Sequence, residues 1–197
     1  MTLPPDPGPG PGDSRDPGGS QDPGESQAGR DRDAAGRARN SRPRDGLGRP
    51  LERGAPGEPT IPDDLALTPV AALTLAQQLI DAGRPFHAHE VLEASWRAAP
   101  PGERDLWQGM AQVAVGLTHA LRGNDRGAQT LLRRGARRIS GYAGASPYGI
   151  DAAALSCAAD ELADRIGKNG LAVIEPADLR LRLCASANGH PGGPGRF

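Results

Sequence analysis

Residues 86–96 concentrate two histidines, two glutamates and two large aromatic side chains in a chain that is only 3% aromatic. At about 100° per residue, His89 and Glu93 share one face of a helix. Glu90 lies a little further round, and the pattern places His87 on the outer side. Burying titratable groups costs free energy unless they are paired or bound to something. This segment is therefore the first candidate for a functional site.

The remaining side chains of this helix indicate how the polar pair is oriented. Ala88, Leu92 and Trp96 recur at helical spacing and form the adjoining apolar face. Phe86 and Arg97 lie beside His89 and Glu93. We therefore expect the polar pair to face inward, at the edge of the apolar face.

A second polar stripe runs along the next predicted helix. Gln108, Gln112 and His119 share one side of a helix that is otherwise apolar. Gly109 and Gly116 beside them would let a neighbouring helix approach closely, at a cost of up to about 1 kcal/mol each relative to Ala. A Pro-Pro-Gly turn joins the two helices as antiparallel neighbours, so we expect their polar stripes to face each other.

One chemistry for this pattern is metal binding. His89 and Glu93 have the i, i+4 spacing by which one helix supplies two ligands, and His119 would be a third. Glu90 would act as general base, as in zinc peptidases that carry H-E-x-x-H. The motif here is H-E-x-x-E, so the match is incomplete. A metal-dependent hydrolase with zinc, iron or manganese is one hypothesis.

The other hypothesis is a non-enzymatic domain. In that case the polar side chains form a satisfied network that sets the register of the two helices, or they frame a cleft for a small ligand or partner. The side chains concerned are His89, Glu93, Arg97, Gln108, Gln112 and His119. Neither Ser95 nor Cys157 is placed to act as a nucleophile, so covalent catalysis is not expected. The residues alone leave the choice between enzyme and binding domain open.

The elements that must position these residues are helices. Thr68 and Asn124 are candidate N-caps, and Gly83 and Gly123 follow the ends of two helices. No alternating strand pattern of useful length appears, and short connections favour antiparallel neighbours. The sequence predicts an all-α, compact antiparallel bundle of about five helices, at about 69–82, 85–98, 103–122, 125–142 and 152–167.

Composition divides the chain into three parts. Many of the 28 Gly and 20 Pro residues lie near the N-terminus, where few large apolar side chains offset chain entropy. We expect a disordered arm over 1–60, a helical domain over 61–185 and a flexible tail over 186–197. Part of the arm would alternatively lie extended over the domain, with Leu47 and Leu51 as anchors.

Charge and targeting signals exclude several classes of protein. The net charge of −1 provides no general attraction for nucleic acid or an anionic membrane. Arg126, Arg133 and Arg137 line the fourth helix, but a solvated face explains them better than RNA binding. No signal peptide or membrane span is apparent, and two scattered cysteines suit a reducing cytosol. We expect a cytoplasmic protein, small enough to form a homo-oligomer.

The helical part also carries a set of motifs with characteristic spacing. They are GRPFHAHEVLE at 83–93, Trp96, WQGMAQVA at 107–114 and HALRGN at 119–124. Together they resemble the bacterial domain-of-unknown-function family numbered 309, and the arginine-rich lead-in looks like that of actinobacterial members. The resemblance implies a small, all-helical, intracellular domain without an established activity, for which a metal-dependent hydrolase role has been suggested only in general terms. The family more often has Glu at the position of His87.

Overall fold

The computed structural model describes residues 43–58, 67–145 and 147–184, which all belong to one compact unit of the chain. Most of the predicted arm and the whole of the predicted tail lie outside these ranges. The division at 1–60, 61–185 and 186–197 therefore stays a prediction. Among the described residues there is no β-strand, and no helix is long and apolar enough to cross a membrane.

Five α-helices follow one another in the described chain. They are α1 (Pro69–Asp81), α2 (Pro85–Ala98), α3 (Arg104–Leu121), α4 (Asp125–Ser140) and α5 (Ala152–Asn169). Each helix packs on the next one along the chain. A 3-10 turn, Pro101–Glu103, joins α2 to α3, another lies between α4 and α5 at Pro147–Gly149, and the short apolar run after α5 forms a third, Leu171–Val173. The predicted all-α bundle of five helices is confirmed.

Local capping explains why the helices begin and end near the predicted residues. The Thr68 hydroxyl accepts a hydrogen bond from the Ala71 N–H at 3.3 Å, and Asn124 Oδ1 accepts one from the Gly127 N–H at 2.8 Å. Each bond satisfies an amide that has no partner within its helix. Gly123 has φ +75°, a left-handed conformation that ends α3 and that glycine adopts without steric cost.

The glycines of α3 determine which helix approaches it most closely. A Cβ at Gly109 would lie 2.8 Å from Ile139 Cγ1, and one at Gly116 would lie 2.9 Å from Leu132 Cγ. From the other side, a Cβ at Gly135 would lie 2.6 Å from the Gly109 carbonyl oxygen. The close approach predicted from the glycines is confirmed, and the neighbour is α4.

Residues 43–58 precede the bundle in sequence and form a compact turn. Asp45 Oδ1 accepts hydrogen bonds from the Leu47 and Arg49 N–H groups at 2.9 and 2.7 Å, and the Leu51 N–H donates to the Pro43 carbonyl at 2.7 Å. Leu47 and Leu51 are both half-buried. We call residues 43–58 the covering segment, because they pack on one end of α2.

Candidate functional site

The first turn of α2 faces a different way from the one predicted. The His87 side chain is only 1% exposed, so its placement on the outer side is wrong. Val91, one helical turn later, is also 1% exposed, and the two residues widen the inward face of Ala88 and Leu92. The helical spacing predicted Trp96 on the inward face, but Trp96 is only half-buried. The inward face is therefore rotated toward His87 and Val91.

The predicted polar pair of α2 forms a ladder along that helix. His89 Nε2 lies 3.5 Å from Glu93 Oε2, and Arg97 Nη2 donates a hydrogen bond to Glu93 Oε1 at 2.8 Å. Burial lowers the pKa of His89, the Glu93 charge opposes that shift, and the Arg97 charge adds to it. Burial therefore outweighs the attraction of Glu93 and favours the neutral imidazole.

The polar side chains of α3 do not join this ladder within the described part of the chain. His119 Nδ1 lies 2.9 Å from Asn124 Nδ2, at the start of α4. Burial lowers the pKa of His119, and the Arg122 charge lowers it further. Gln112 Oε1 is buried without a hydrogen-bond partner. The glycine face of α3 packs on α4, so α3 is oriented by that contact rather than by polar pairing with α2.

Two of the three side chains predicted as metal ligands lie close together. His89 and Glu93 are in contact, whereas His119 pairs with Asn124. Among the residues described, no group of three or more His, Cys, Asp or Glu side chains could hold a metal ion. The role of Glu90 as general base and the identity of any metal stay predictions.

The covering segment closes over the N-terminal end of α2 at Phe86. The Arg44 and Arg122 guanidinium carbons lie 5.5 and 5.9 Å from the centroid of the Phe86 ring, within the range of a cation–π contact. Arg122 Nε donates to the Leu47 carbonyl at 3.0 Å, and its Nη2 donates to the same oxygen. Gly48 has φ +73°, and a Cβ at this position would overlap the Phe86 ring.

Several polar atoms at this end of α2 are enclosed without partners. Arg84 Nε, His87 Nδ1 and His89 Nδ1 are buried and make no hydrogen bond, although Arg84 Nη2 pairs with Glu58 Oε2 at 2.5 Å. Burial lowers the pKa of His87, the Arg84 charge lowers it further, and Glu58 opposes the shift. An unpaired buried polar atom costs about 1–3 kcal/mol. The chain thus encloses His87 and the Nδ1 atom of His89, whereas the Glu93 side chain stays partly exposed.

An open pocket of about 210 Å³ lies at the other end of α2. The most buried of its lining residues is Trp107, which is 1% exposed. The pocket is lined mainly by apolar groups from the start of α1, the end of α2 and the turn that follows. The lining residues are Leu67, Pro69, Ser95, Ala98, Ala99, Pro100, Glu103, Trp107 and Tyr148.

Glu103 and Tyr148 are the polar groups that converge on this pocket. The Tyr148 hydroxyl donates to the Glu103 carboxylate, 2.8 Å from Oε1 and 2.9 Å from Oε2. The Trp107 indole N–H donates to Oε2 at 3.3 Å, and the Trp107 and Tyr148 ring centroids are 6.1 Å apart. The hydrogen bond to Glu103 raises the pKa of Tyr148. Two aromatic rings therefore flank one carboxylate.

The backbone at Tyr148 is strained. Its φ is +56°, a left-handed conformation that costs a non-glycine residue about 1–2 kcal/mol. Strain of this kind persists where surrounding contacts overdetermine the geometry, and such contacts cluster at functional sites. The hydrogen bonds from the Tyr148 hydroxyl to Glu103 are contacts of this type.

Sequence reasoning missed this pocket because its parts are far apart in the chain. Trp107 belongs to α3, Tyr148 follows α4, and Glu103 ends the turn that joins α2 to α3. One local signal existed, because Glu103 and Trp107 are four residues apart and would share a helix face. Nothing in the sequence pattern linked Tyr148 to either of them.

One segment of the chain is similar to a known protein family. Residues 73–131 match the family model "Domain of unknown function (DUF309)". The resemblance inferred from the motifs is thereby confirmed for this segment, which includes α2, α3 and Glu103. The "Uncharacterized protein YpuF" of Bacillus subtilis (strain 168) is 42% identical over 53 residues, 26% of this chain. This chain matches only 30% of that protein's length. No solved structure matches.

Proposed function

We propose that this DUF309-like helical region is a non-enzymatic binding domain whose pocket at the end of α2 takes a small organic cation. One observation carries the proposal. The Glu103 carboxylate lies between the Trp107 and Tyr148 rings at an apolar pocket, and it forms no ion pair with any described residue. A carboxylate in such surroundings favours a positively charged partner.

The lining of the pocket indicates which cation would fit. Apart from Glu103, Ser95 and the Tyr148 hydroxyl, the wall consists of apolar side chains. The Ser95 hydroxyl already donates to the Val91 carbonyl at 3.1 Å, so it remains available only as an acceptor. A primary ammonium group on a short apolar body would meet the carboxylate at one end and apolar wall at the other. The aromatic rings would add cation–π attraction.

The test compares benzylammonium with benzyl alcohol, a neutral molecule of similar shape. We expect benzylammonium to shift the indole N–H resonance of Trp107 in NMR spectra of the full chain, and to leave that of Trp96 in place. Benzyl alcohol should bind at least about tenfold more weakly, because it lacks the charge that Glu103 recognises. Equal binding of the two probes would contradict the proposal.

A matched pair of variants locates the binding. Glu103→Gln keeps the size and shape of the side chain but removes its charge, and it should abolish the preference for benzylammonium. Glu93→Gln removes a carboxylate from the same pair of helices, away from the pocket, and should leave the preference unchanged. If both variants lose it equally, the charge of the whole domain, and not Glu103, attracts the amine.

A metal-dependent hydrolase is the second proposal, favoured by the 3.5 Å contact of His89 with Glu93. His119 would be the third ligand and Glu90 the general base. Metal analysis of the purified chain tests it. Absence of stoichiometric zinc, iron or manganese, with unchanged melting on addition of chelator, would contradict it, whereas a folded His119→Ala variant that loses bound metal would support it. The cytoplasmic location and homo-oligomer formation stay predictions.

A further inference from the structure

A wide cleft of about 540 Å³ lies along the C-terminal half of α4, and it shares no lining residue with the pocket described above. Its lining is dominated by charged side chains rather than apolar ones. The lining residues are Asp105, Arg134, Arg137, Arg138, Gly141 and Tyr142. Three guanidinium groups therefore share one concave surface with a single carboxylate.

The arginines of α4 differ in whether their charge is neutralised. Arg133 Nη2 pairs with Asp164 Oδ1 at 2.7 Å, on α5, and Arg138 Nη1 pairs with Asp105 Oδ1, on α3. Arg134 and Arg137 are exposed and form no ion pair with any of the described residues. Arg134 and Arg137 are thus the two cations of the cleft lining that no described carboxylate neutralises.

We propose that this cleft binds the phosphate group of a small phosphorylated molecule. Arg134 and Arg137 are three residues apart on one helix, so their side chains project from neighbouring positions of the same face. A guanidinium group presents a planar fork of donors that matches phosphate oxygens, and two forks can grip one tetrahedral group. Arg138, held by Asp105, completes the wall.

The cleft suits a small ligand better than a nucleic acid. RNA binding requires a track of free cations that follows many phosphates. On α4 this track is interrupted, because Arg133 and Arg138 are paired with carboxylates and the chain carries a net charge of −1. Tyr142 closes one side of the cleft, where its hydroxyl donates to the Gly102 carbonyl at 2.7 Å.

Cations at the end of a helix also stabilise the helix dipole, which would place arginines here without any ligand. The experiment must therefore measure binding directly. Pyrophosphate is titrated into the full-length, isotope-labelled chain at constant ionic strength, with sodium chloride as reference. We expect saturable shifts of the Gly141 and Tyr142 amide resonances that chloride does not produce.

Substitutions on α4 locate the binding groups. The double variant Arg134→Gln, Arg137→Gln should weaken pyrophosphate binding by about tenfold or more for each guanidinium removed. Arg126→Gln removes an exposed charge from the same helix outside the cleft and should leave the affinity unchanged. Circular dichroism of both variants should show that the helices persist, because these side chains are on the surface.

Three results would overturn the inference. In the first, chloride and pyrophosphate shift the same resonances equally, which indicates general attraction of anions. In the second, Arg126→Gln weakens binding as much as the double variant. In the third, pyrophosphate does not bind, whereas a short RNA binds with an affinity that falls steeply with salt, which assigns the arginines to nucleic acid.

Discussion

The two ends of α2 differ in how accessible they are to a ligand. At the N-terminal end, the covering segment packs on Phe86, His87 is buried and His89 is half-buried. At the C-terminal end, Glu103 and Tyr148 border an open pocket. The end with the densest chemistry in its sequence is closed, and the end with an accessible pocket is assembled from residues distant in sequence. A cluster of titratable residues along one helix is therefore a weak guide to where a ligand can enter.

The largest expected effect on stability comes from Trp107, which lines the pocket. Trp107→Ala should lower the free energy of unfolding by about 3–5 kcal/mol, because it removes a large, fully buried side chain. Phe86→Ala, at the other end of α2, should cost about 1 kcal/mol, because this ring is only half-buried. Urea denaturation of both variants measures the difference. A greater loss for Phe86→Ala would reverse the comparison.

The covering segment should depend on one glycine. Gly48→Ala forces a Cβ onto the Phe86 ring at a φ of +73°, so we expect a loss of about 1–3 kcal/mol or local release of the segment. Hydrogen exchange of residues 43–58 would then be faster. Gly46→Ala is the matched control, since nothing lies within 4 Å of its Cβ position. Equal exchange in the two variants would mean that the contact with Phe86 does not hold the segment.

Arg122 should contribute less than Gly48. Arg122→Gln removes the donors to the Leu47 carbonyl and one cation beside the Phe86 ring. The expected loss is about 1 kcal/mol, the net contribution of a typical intramolecular hydrogen bond. Trypsin cleavage after Arg44 and Arg53, which are followed by Asp45 and Gly54, should become faster, with the cleavage sites identified by mass spectrometry. Unchanged cleavage at both sites would show that Arg122 does not hold the segment.

The smallest effect that we expect is a dependence on pH. The pKa values of His87, His89 and His119 are all lowered, in each case mainly by burial. The unfolded chain then binds protons more readily than the folded one. Stability is therefore fully present above the ordinary histidine pKa of about 6.5 and falls as the pH drops below it toward the folded-state values.

Urea denaturation at about pH 7.5 and about pH 5.5 measures this dependence, across the range in which histidines titrate. His87→Gln should reduce it most, because His87 is the most buried of the three. His119→Gln, at a half-exposed position beside Asn124, should reduce it less. A pH dependence that is the same in His87→Gln and the unmodified chain would show that the enclosed end of α2 does not sense protons.

Local sequence determined the helices and their ends. Thr68 and Asn124 cap helices, and Gly123 ends one, as their side chains and backbone freedom dictate. The 3.6-residue spacing of apolar side chains then required that each helix bury one face, so an all-α bundle followed. These signals act within a few residues, which is why they can be recognised without tertiary contacts.

Only the tertiary structure decided which groups meet. The contact of Gly109 with α4 oriented α3, and the covering segment closed over Phe86 and beside His87, so predictions from single-helix wheels were wrong at His87. Likewise, Tyr148 reaches Glu103 across 45 residues of sequence. Helical periodicity says which residues share a face, but the partner of that face depends on the packing of the whole bundle.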